Sequence, residues 1–186
     1  SHYGKAPVEA RRIRAVTDLY EPGSTFKVFT AAAAIERGTV SPERRFDCAP
    51  RVIAGKLYKD THTHGVLSVR EILEKSSNVG AIKIGLGLGA ERLSRYVRRF
   101  GFGTRVFGDL PGETPGMLAD PSRWGVGTVA SISMGYEVGV TPMQMAAAVS
   151  AVANGGVYMR PRIVRALRRG TARTEVTPQE VRRAIN

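Results

Sequence analysis

The sequence predicts a mainly α-helical fold with a few short strands. Three observations predict it. Serine or threonine stands three residues before glutamate or glutamine at Ser68 with Glu71, Thr141 with Gln144 and Thr177 with Glu180, a spacing that caps helix starts. Apolar residues recur at helical intervals at Leu93, Tyr96, Val97 and Phe100. An alanine-rich apolar run also follows the turn signal Pro22-Gly23.

Taken in order, residues 1 to 10 are polar and short of large apolar side chains. The run after Pro22-Gly23 predicts a helix over residues 24 to 37, buried nearly all round through Phe26, Val28, Phe29, Ala31 to Ala34 and Ile35, and stopped at Gly38. Residues 41 to 67 hold turn residues and strand-like pieces near Phe46 and Lys56 to Tyr58, which predicts a loop-and-hairpin excursion. Ser68 opens a short helix ending near Ser76, and Asn78 begins another apolar helical run, so Ser76-Ser77-Asn78 falls at a junction. By residue type alone that tripeptide reads as an ordinary helix cap. The helix around Leu93 carries arginines on its outer face and ends at Gly101. Residues 101 to 127, rich in glycine and proline, predict a long loop anchored by Trp124. Thr141 with Pro142 at the first helical position opens a helix carrying Met143, Met145, Ala146, Val149 and Val152 to a stop at Asn154-Gly155-Gly156. Val157 to Met159 predicts a short strand, and Thr177-Pro178-Gln179-Glu180 a last helix.

At 186 residues the chain fits one domain or a large part of one. Lysines and arginines number 28 against 16 acids, a net charge of +12. Residues 160 to 186 hold eight arginines and two glutamates, which gives 8 − 2 = +6. No interleaved aromatics or recognised binding module accompany those arginines, so nucleic acid is not expected as a partner. A solvated helical face near anionic lipid or wall polymer is the expectation instead. Cys48 is alone and cannot form an intrachain disulfide. No apolar segment is long enough to span a membrane, and no signal peptide is evident. His62 and His64 lack a carboxylate or cysteine at ligand spacing, so no metal and no cofactor is expected.

The chemistry concentrates at Tyr20-Glu21-Pro22-Gly23-Ser24-Thr25-Phe26-Lys27. Ser24 and Lys27 stand three apart at a helix start, so they share a face. An adjacent base is the usual means of activating a serine. Lys27 lies within an apolar run, where desolvation lowers an amine's pKa toward that of a usable base. A solvated Lys27 in the first turn would instead place a cation at the positive end of the helix dipole.

Ser-x-x-Lys opens the motif set of penicillin-binding proteins and serine β-lactamases, whose second and third motifs are Ser-Asp-Asn and Lys-Thr-Gly. The stretch around Ser24 resembles the first motif of class B penicillin-binding proteins, the D,D-transpeptidases that cross-link peptidoglycan. Glu21 leans toward their division-specific branch. Ser76-Ser77-Asn78 resembles the second motif, with serine in the middle. Similar blocks follow in family order: His64-Gly65-Val66-Leu67-Ser68-Val69, Phe100-Gly101-Phe102-Gly103, Asp109-Leu110-Pro111-Gly112-Glu113, Ser131-Ile132-Ser133-Met134-Gly135-Tyr136-Glu137, Val140-Thr141-Pro142-Met143-Gln144 and Ala153-Asn154-Gly155-Gly156. The resemblance covers roughly residues 11 to 167. Neither Lys-Thr-Gly nor Lys-Ser-Gly occurs in the sequence.

The resemblance implies that residues 1 to 186 form a partial transpeptidase domain ending before the Lys-Thr-Gly strand. They would be the helical portion of the penicillin-binding protein and serine β-lactamase-like fold, whose complete form is α/β around a central antiparallel sheet. It implies Ser24 as nucleophile, Lys27 as its base, Ser76 as a proton relay and Asn78 as a substrate-binding residue. Peptidoglycan stem peptides and β-lactams are the implied ligands, and division-complex membrane proteins the implied partners. The implied location is extracytoplasmic, with a membrane anchor in the parent protein. The chain alone is expected to be a poor enzyme or inert. Two other readings stay open: a β-lactam sensor or serine β-lactamase, and a non-catalytic docking module of the division complex.

Overall fold

The computed structural model describes residue 5 and residues 7–186. Part of the polar stretch expected over residues 1 to 10 therefore lies outside the described residues. A 3-10 turn at Val8–Arg11 and a one-turn helix, α1 (Arg14–Thr17), lead into the central element. That element is α2 (Lys27–Glu36), entered through a 3-10 turn at Gly23–Phe26. The predicted helix over residues 24 to 37 thus forms, with a tighter first turn, because the Lys27 N–H is taken by the Ser24 carbonyl.

Helix α2 divides the interior into two apolar clusters. Phe26, Phe29 and Ala33 face one, with Phe100, Phe102, Trp124 and Ile132. Ala31 and Ala34 face the other, with Ile72, Val79, Ile82 and Met134. Its burial is less complete than predicted, since Ile35 is exposed. The Phe29 ring lies 4.9 Å from that of Phe100, and Phe26 lies 5.0 Å from Phe102. Aromatic pairs at such spacings add about 0.5–1.5 kcal/mol each beyond the area they bury.

After α2 the excursion resolves into two ladders, β1 (Arg45–Asp47) with β4 (Val66–Ser68) and β2 (Arg51–Ile53) with β3 (Lys56–Tyr58), both antiparallel. The capping box at Ser68 forms as predicted and starts α3 (Val69–Glu74). Helix α4 (Asn78–Leu88) follows a three-residue break and leads through Gly89 into the amphipathic α5 (Ala90–Arg99). Leu93, Tyr96 and Val97 are its buried stripe, as the spacing requires.

The long loop from residue 101 wanders as expected, with Trp124 buried and its indole Nε1 donating to the Ala119 carbonyl at 3.1 Å. It ends slightly early, because α6 (Val126–Ser133) begins with Gly125 as its cap and no capping side chain. Within the loop β5 (Met117–Leu118) pairs with β6 (Val138–Gly139). Helices α4 and α6 cross closely at Gly85, where a Cβ would lie 1.8 Å from Ser133 Oγ. Helix α7 (Pro142–Ala153) carries the second predicted capping box.

The tail departs from prediction. Residues from Thr177 onward do not start a helix, and the arginine-rich segment presents no helical face. β7 (Val157–Arg160) pairs antiparallel with β10 (Gln179–Arg183), and β8 (Ala166–Arg169) with β9 (Ala172–Glu175). Tertiary contacts override the local pattern. Arg182 stacks over the Tyr158 ring at 4.6 Å and donates to the Arg99 carbonyl at 2.7 Å, while Ala184 is fully buried. The expectation of a mainly α chain with short strands is met, the strands among the described residues forming five separate two-stranded ladders.

Candidate active site

Ser24 sits exposed in the 3-10 turn that precedes α2, with Lys27 one turn further on. Side chains three apart eclipse in a 3-10 turn, so the two residues lie one above the other. The turn is braced from the loop after α6. Gly23 donates its N–H to the Gly135 carbonyl at 3.0 Å, and Glu21 Oε1 accepts the Glu137 N–H at 2.8 Å. Tyr20 and Val140 exchange backbone hydrogen bonds at 3.0 and 2.9 Å. Gly135 has φ +84°, and a Cβ there would lie 2.2 Å from the Gly23 carbonyl oxygen, so only glycine fits.

Lys27 is buried, at 2 % exposure. Its Nζ donates to the Ser76 carbonyl at 2.6 Å, to Ser76 Oγ at 3.1 Å and to Asn78 Oδ1 at 2.7 Å. One residue supplies two of the three acceptors because Ser76 adopts φ +55°, a left-handed conformation unusual for serine. Burial lowers the Lys27 pKa from 10.5 to about 8, and the nearby Asp60 carboxylate opposes part of that fall. All three N–H bonds of the ammonium are therefore committed. Among the described residues no hydrogen bond joins the Ser24 hydroxyl to the Lys27 ammonium. Loss of one proton from Nζ frees the lone pair that could accept from a hydroxyl.

The Ser76-Ser77-Asn78 turn divides its labour. Ser77 faces inward, fully buried, and accepts the Gly80 N–H at 2.9 Å as the cap of α4. Ser76 and Asn78 face Lys27. The tripeptide is thus a helix cap and a ligand for the lysine at once. Asp60, in the loop after β3, completes the arrangement by accepting from Ser77 Oγ at 2.6 Å, Asn78 N at 2.6 Å and Val79 N at 3.0 Å. Beside Asn78 opens a cleft of about 270 Å³ walled by Lys56, Tyr58, Lys59, Met134 and Tyr136. A larger hollow of about 450 Å³ on the β8–β9 hairpin is lined by Ala166, Arg168, Thr171 and Arg173 and includes none of these groups.

Sequence reasoning named Ser24, Lys27, Ser76 and Asn78, and three of the four converge. It missed Asp60, which lies 17 residues from its nearest partner. No local pattern could have pointed there. Among the described residues no group of three histidine, cysteine or acidic side chains could hold a metal ion.

A family model described as Penicillin binding protein transpeptidase domain matches residues 2–185. The chain belongs to the penicillin-binding protein transpeptidase family. Its similarity to class B members is explicit. The probable peptidoglycan D,D-transpeptidase PenA of Neisseria gonorrhoeae is 38% identical over 156 residues, covering 84% of this chain and 27% of PenA. The peptidoglycan D,D-transpeptidase FtsI of Escherichia coli K12 is 36% identical over 152 residues, covering 82% of this chain and 26% of FtsI. The chain thus spans about a quarter of the length of these curated relatives. Among solved structures, penicillin-binding protein 3 of Mycobacterium tuberculosis in complex with aztreonam superposes with a TM-score of 0.84 at 33% identity, covering 92% of this chain and 39% of the other. The transpeptidase domain of Burkholderia pseudomallei penicillin-binding protein 3 gives 0.78 at 31% identity, covering 81% and 46%.

Proposed function

We propose that this chain carries the acylation centre of a peptidoglycan D,D-transpeptidase, as part of a transpeptidase domain that is completed by a Lys-Thr-Gly or Lys-Ser-Gly strand. Ser24 is the nucleophile. Neutral Lys27 takes the Ser24 hydroxyl proton as the Oγ–C bond forms at the carbonyl between two terminal D-alanines of a stem peptide. The C–N bond then breaks, the proton travels from Lys27 through the Ser76 hydroxyl to the leaving nitrogen, and D-alanine departs. An amine of a second stem peptide then attacks the ester and regenerates Ser24. Asn78 anchors the substrate amide while holding Lys27 in place. The Ser24 N–H, at the start of the helix with no intrahelical acceptor, supplies half of an oxyanion hole.

The observation that carries this reading is the buried Lys27, desolvated to a pKa of about 8 and held by two further family-motif residues. β-Lactams are the mechanism-based probes, and stem peptides the substrates. The setting is extracytoplasmic, with an anchored parent protein and division-complex membrane proteins as partners. Among the described residues no helix is long and apolar enough to cross a membrane.

Removing one oxyanion donor costs about 10²–10³ in rate. The 186-residue chain by itself is accordingly expected to acylate very slowly with a fluorescent penicillin. A protein carrying these residues together with the third-motif strand is expected to label stoichiometrically at Ser24. Its acylation rate should rise as pH increases through about 8, where Lys27 loses its proton. Absence of labelling in that longer protein defeats the enzymatic reading, whereas rapid turnover of the label points to a β-lactamase.

A further inference from the structure

Asp60 belongs to none of the family-like blocks, yet three groups of the Ser77-Asn78-Val79 segment end on its carboxylate. Oδ2 accepts from Ser77 Oγ at 2.6 Å, and Oδ1 accepts the N–H groups of Asn78 and Val79 at 2.6 and 3.0 Å. The preceding residue, Lys59, offers its carbonyl to Asn78 Nδ2 at 3.4 Å. Two consecutive residues therefore grip Asn78 from its backbone and from its amide nitrogen. That leaves the amide oxygen directed at Lys27, 2.7 Å away. Ser76, next to this clamp, holds the left-handed conformation that turns both its oxygens toward the same ammonium. Such a conformation persists only where its surroundings enforce it.

We propose that Asp60 is a positioning residue for the site: its carboxylate locks the Ser76-Ser77-Asn78 turn so that Ser76 and Asn78 converge on Lys27. A helix cap alone would explain bonds to the first amides of α4, where an anion is favoured by the helix dipole. It does not explain why the same carboxylate acts on Lys27. Desolvation lowers the Lys27 pKa, and Asp60 is the charged group that counters it. Another titratable group packed here is Cys48, from the loop after β1, which lies against Ser77 and is influenced by both Asp60 and Lys83. Lys83, on α4, is paired with Asp47. Asp60 thus couples the loop leaving the β2–β3 hairpin, and with it the cleft wall formed by Lys56 and Lys59, to the proton state of Lys27.

This inference deepens the proposed reaction and rests on Lys27 serving as its base. Its test does not need catalysis. Lysine labelled with ¹³C at Cε in the 186-residue chain reports the Lys27 titration directly by NMR. Asp60→Asn keeps an oxygen for the two amides and removes the charge, and Asp60→Ala removes both. In Asp60→Asn the Lys27 titration should move to lower pH than in the wild type, with the fold retained. A residue that only caps a helix would leave it in place. Asp60→Glu, which keeps the charge, should leave the Lys27 titration near its wild-type position. Should Asp60→Ala not fold, the isosteric Asp60→Asn decides the matter against Asp60→Glu. Lys27 titrating at the same pH in folded wild-type and Asp60→Asn chains overturns the proposal. If Ser24 fails to acylate in the longer protein but Lys27 still responds to Asp60, the catalytic reading falls and the positioning role stands.

Discussion

Two buried charges in this molecule are satisfied in opposite ways. Glu113 is 5 % exposed, and its carboxylate accepts the N–H groups of Val106 at 2.6 Å, Phe107 at 3.0 Å and Gly108 at 2.8 Å. All three donors come from one short stretch of the same loop. Lys27 is buried as deeply, but its acceptors lie 49 and 51 residues away, on a turn with a left-handed serine. Beside it stands an exposed hydroxyl to which it makes no hydrogen bond. A charge neutralised by consecutive backbone dipoles shapes a loop. A charge held by distant side chains near an exposed hydroxyl is the arrangement that the proposed reaction uses.

The contrast is broken most severely at the structural charge. Glu113→Ala strands three amides that had a charged acceptor, and should cost about 3–5 kcal/mol in urea unfolding of the 186-residue chain. The Lys27 titration should survive wherever the variant folds. A loss under 1 kcal/mol would mean that Glu113 does not organise this loop.

Lys27 gives the next effect, with the opposite character. Its folded-state pKa is below the unfolded value, so between pH 8 and 10.5 the unfolded chain binds more protons than the folded one. Stability attributable to this group therefore rises with pH across that window and is penalised in full below it. The whole span corresponds to about 3 kcal/mol. Subtracting the stability–pH curve of Lys27→Met from that of the wild type isolates it. A flat difference curve would show that Lys27 is not desolvated. Gly135→Ala is smaller: it pushes a methyl into the Gly23 carbonyl and should cost about 1–3 kcal/mol. Acylation of the longer protein should fall more steeply than stability, because the displaced turn carries Ser24.

The candidate site was more legible in the sequence than the scaffold around it. Ser24 with Lys27 is a local spacing, and Ser68 with Glu71 a local capping box, so both could be read directly. The burial of Lys27 followed from the apolar run around it. Asp60 and the Gly135 contact with Gly23 could not be read, since they are created by chain segments that meet only after folding. The left-handed Ser76 was equally hidden, because serine carries no signal for that conformation. The tail misled for the same reason in reverse: the pattern at Thr177 is local, and the pairing of β10 with β7 that defeats it is not.

Two threonines with the same sequence signature bring that lesson to a measurable point. Thr141 forms the capping box in full, its Oγ1 accepting the Gln144 N–H at 3.1 Å while Gln144 Oε1 accepts the Thr141 N–H at 2.9 Å. Gln144 also ties this helix start to the loop, donating to the Thr104 and Pro115 carbonyls at 2.8 Å each. Thr177 precedes a strand, so its hydroxyl has no helix to cap. Thr141→Ala should therefore cost about 1 kcal/mol, typical of a lost cap. Thr177→Ala should stay within about 0.5 kcal/mol of the wild type, as substitutions away from such features do. Equal losses at the two positions would mean that a capped helix, and not β10, follows Thr177 in solution. The same four-residue pattern is worth a helix cap only where the next turn has something to pack against.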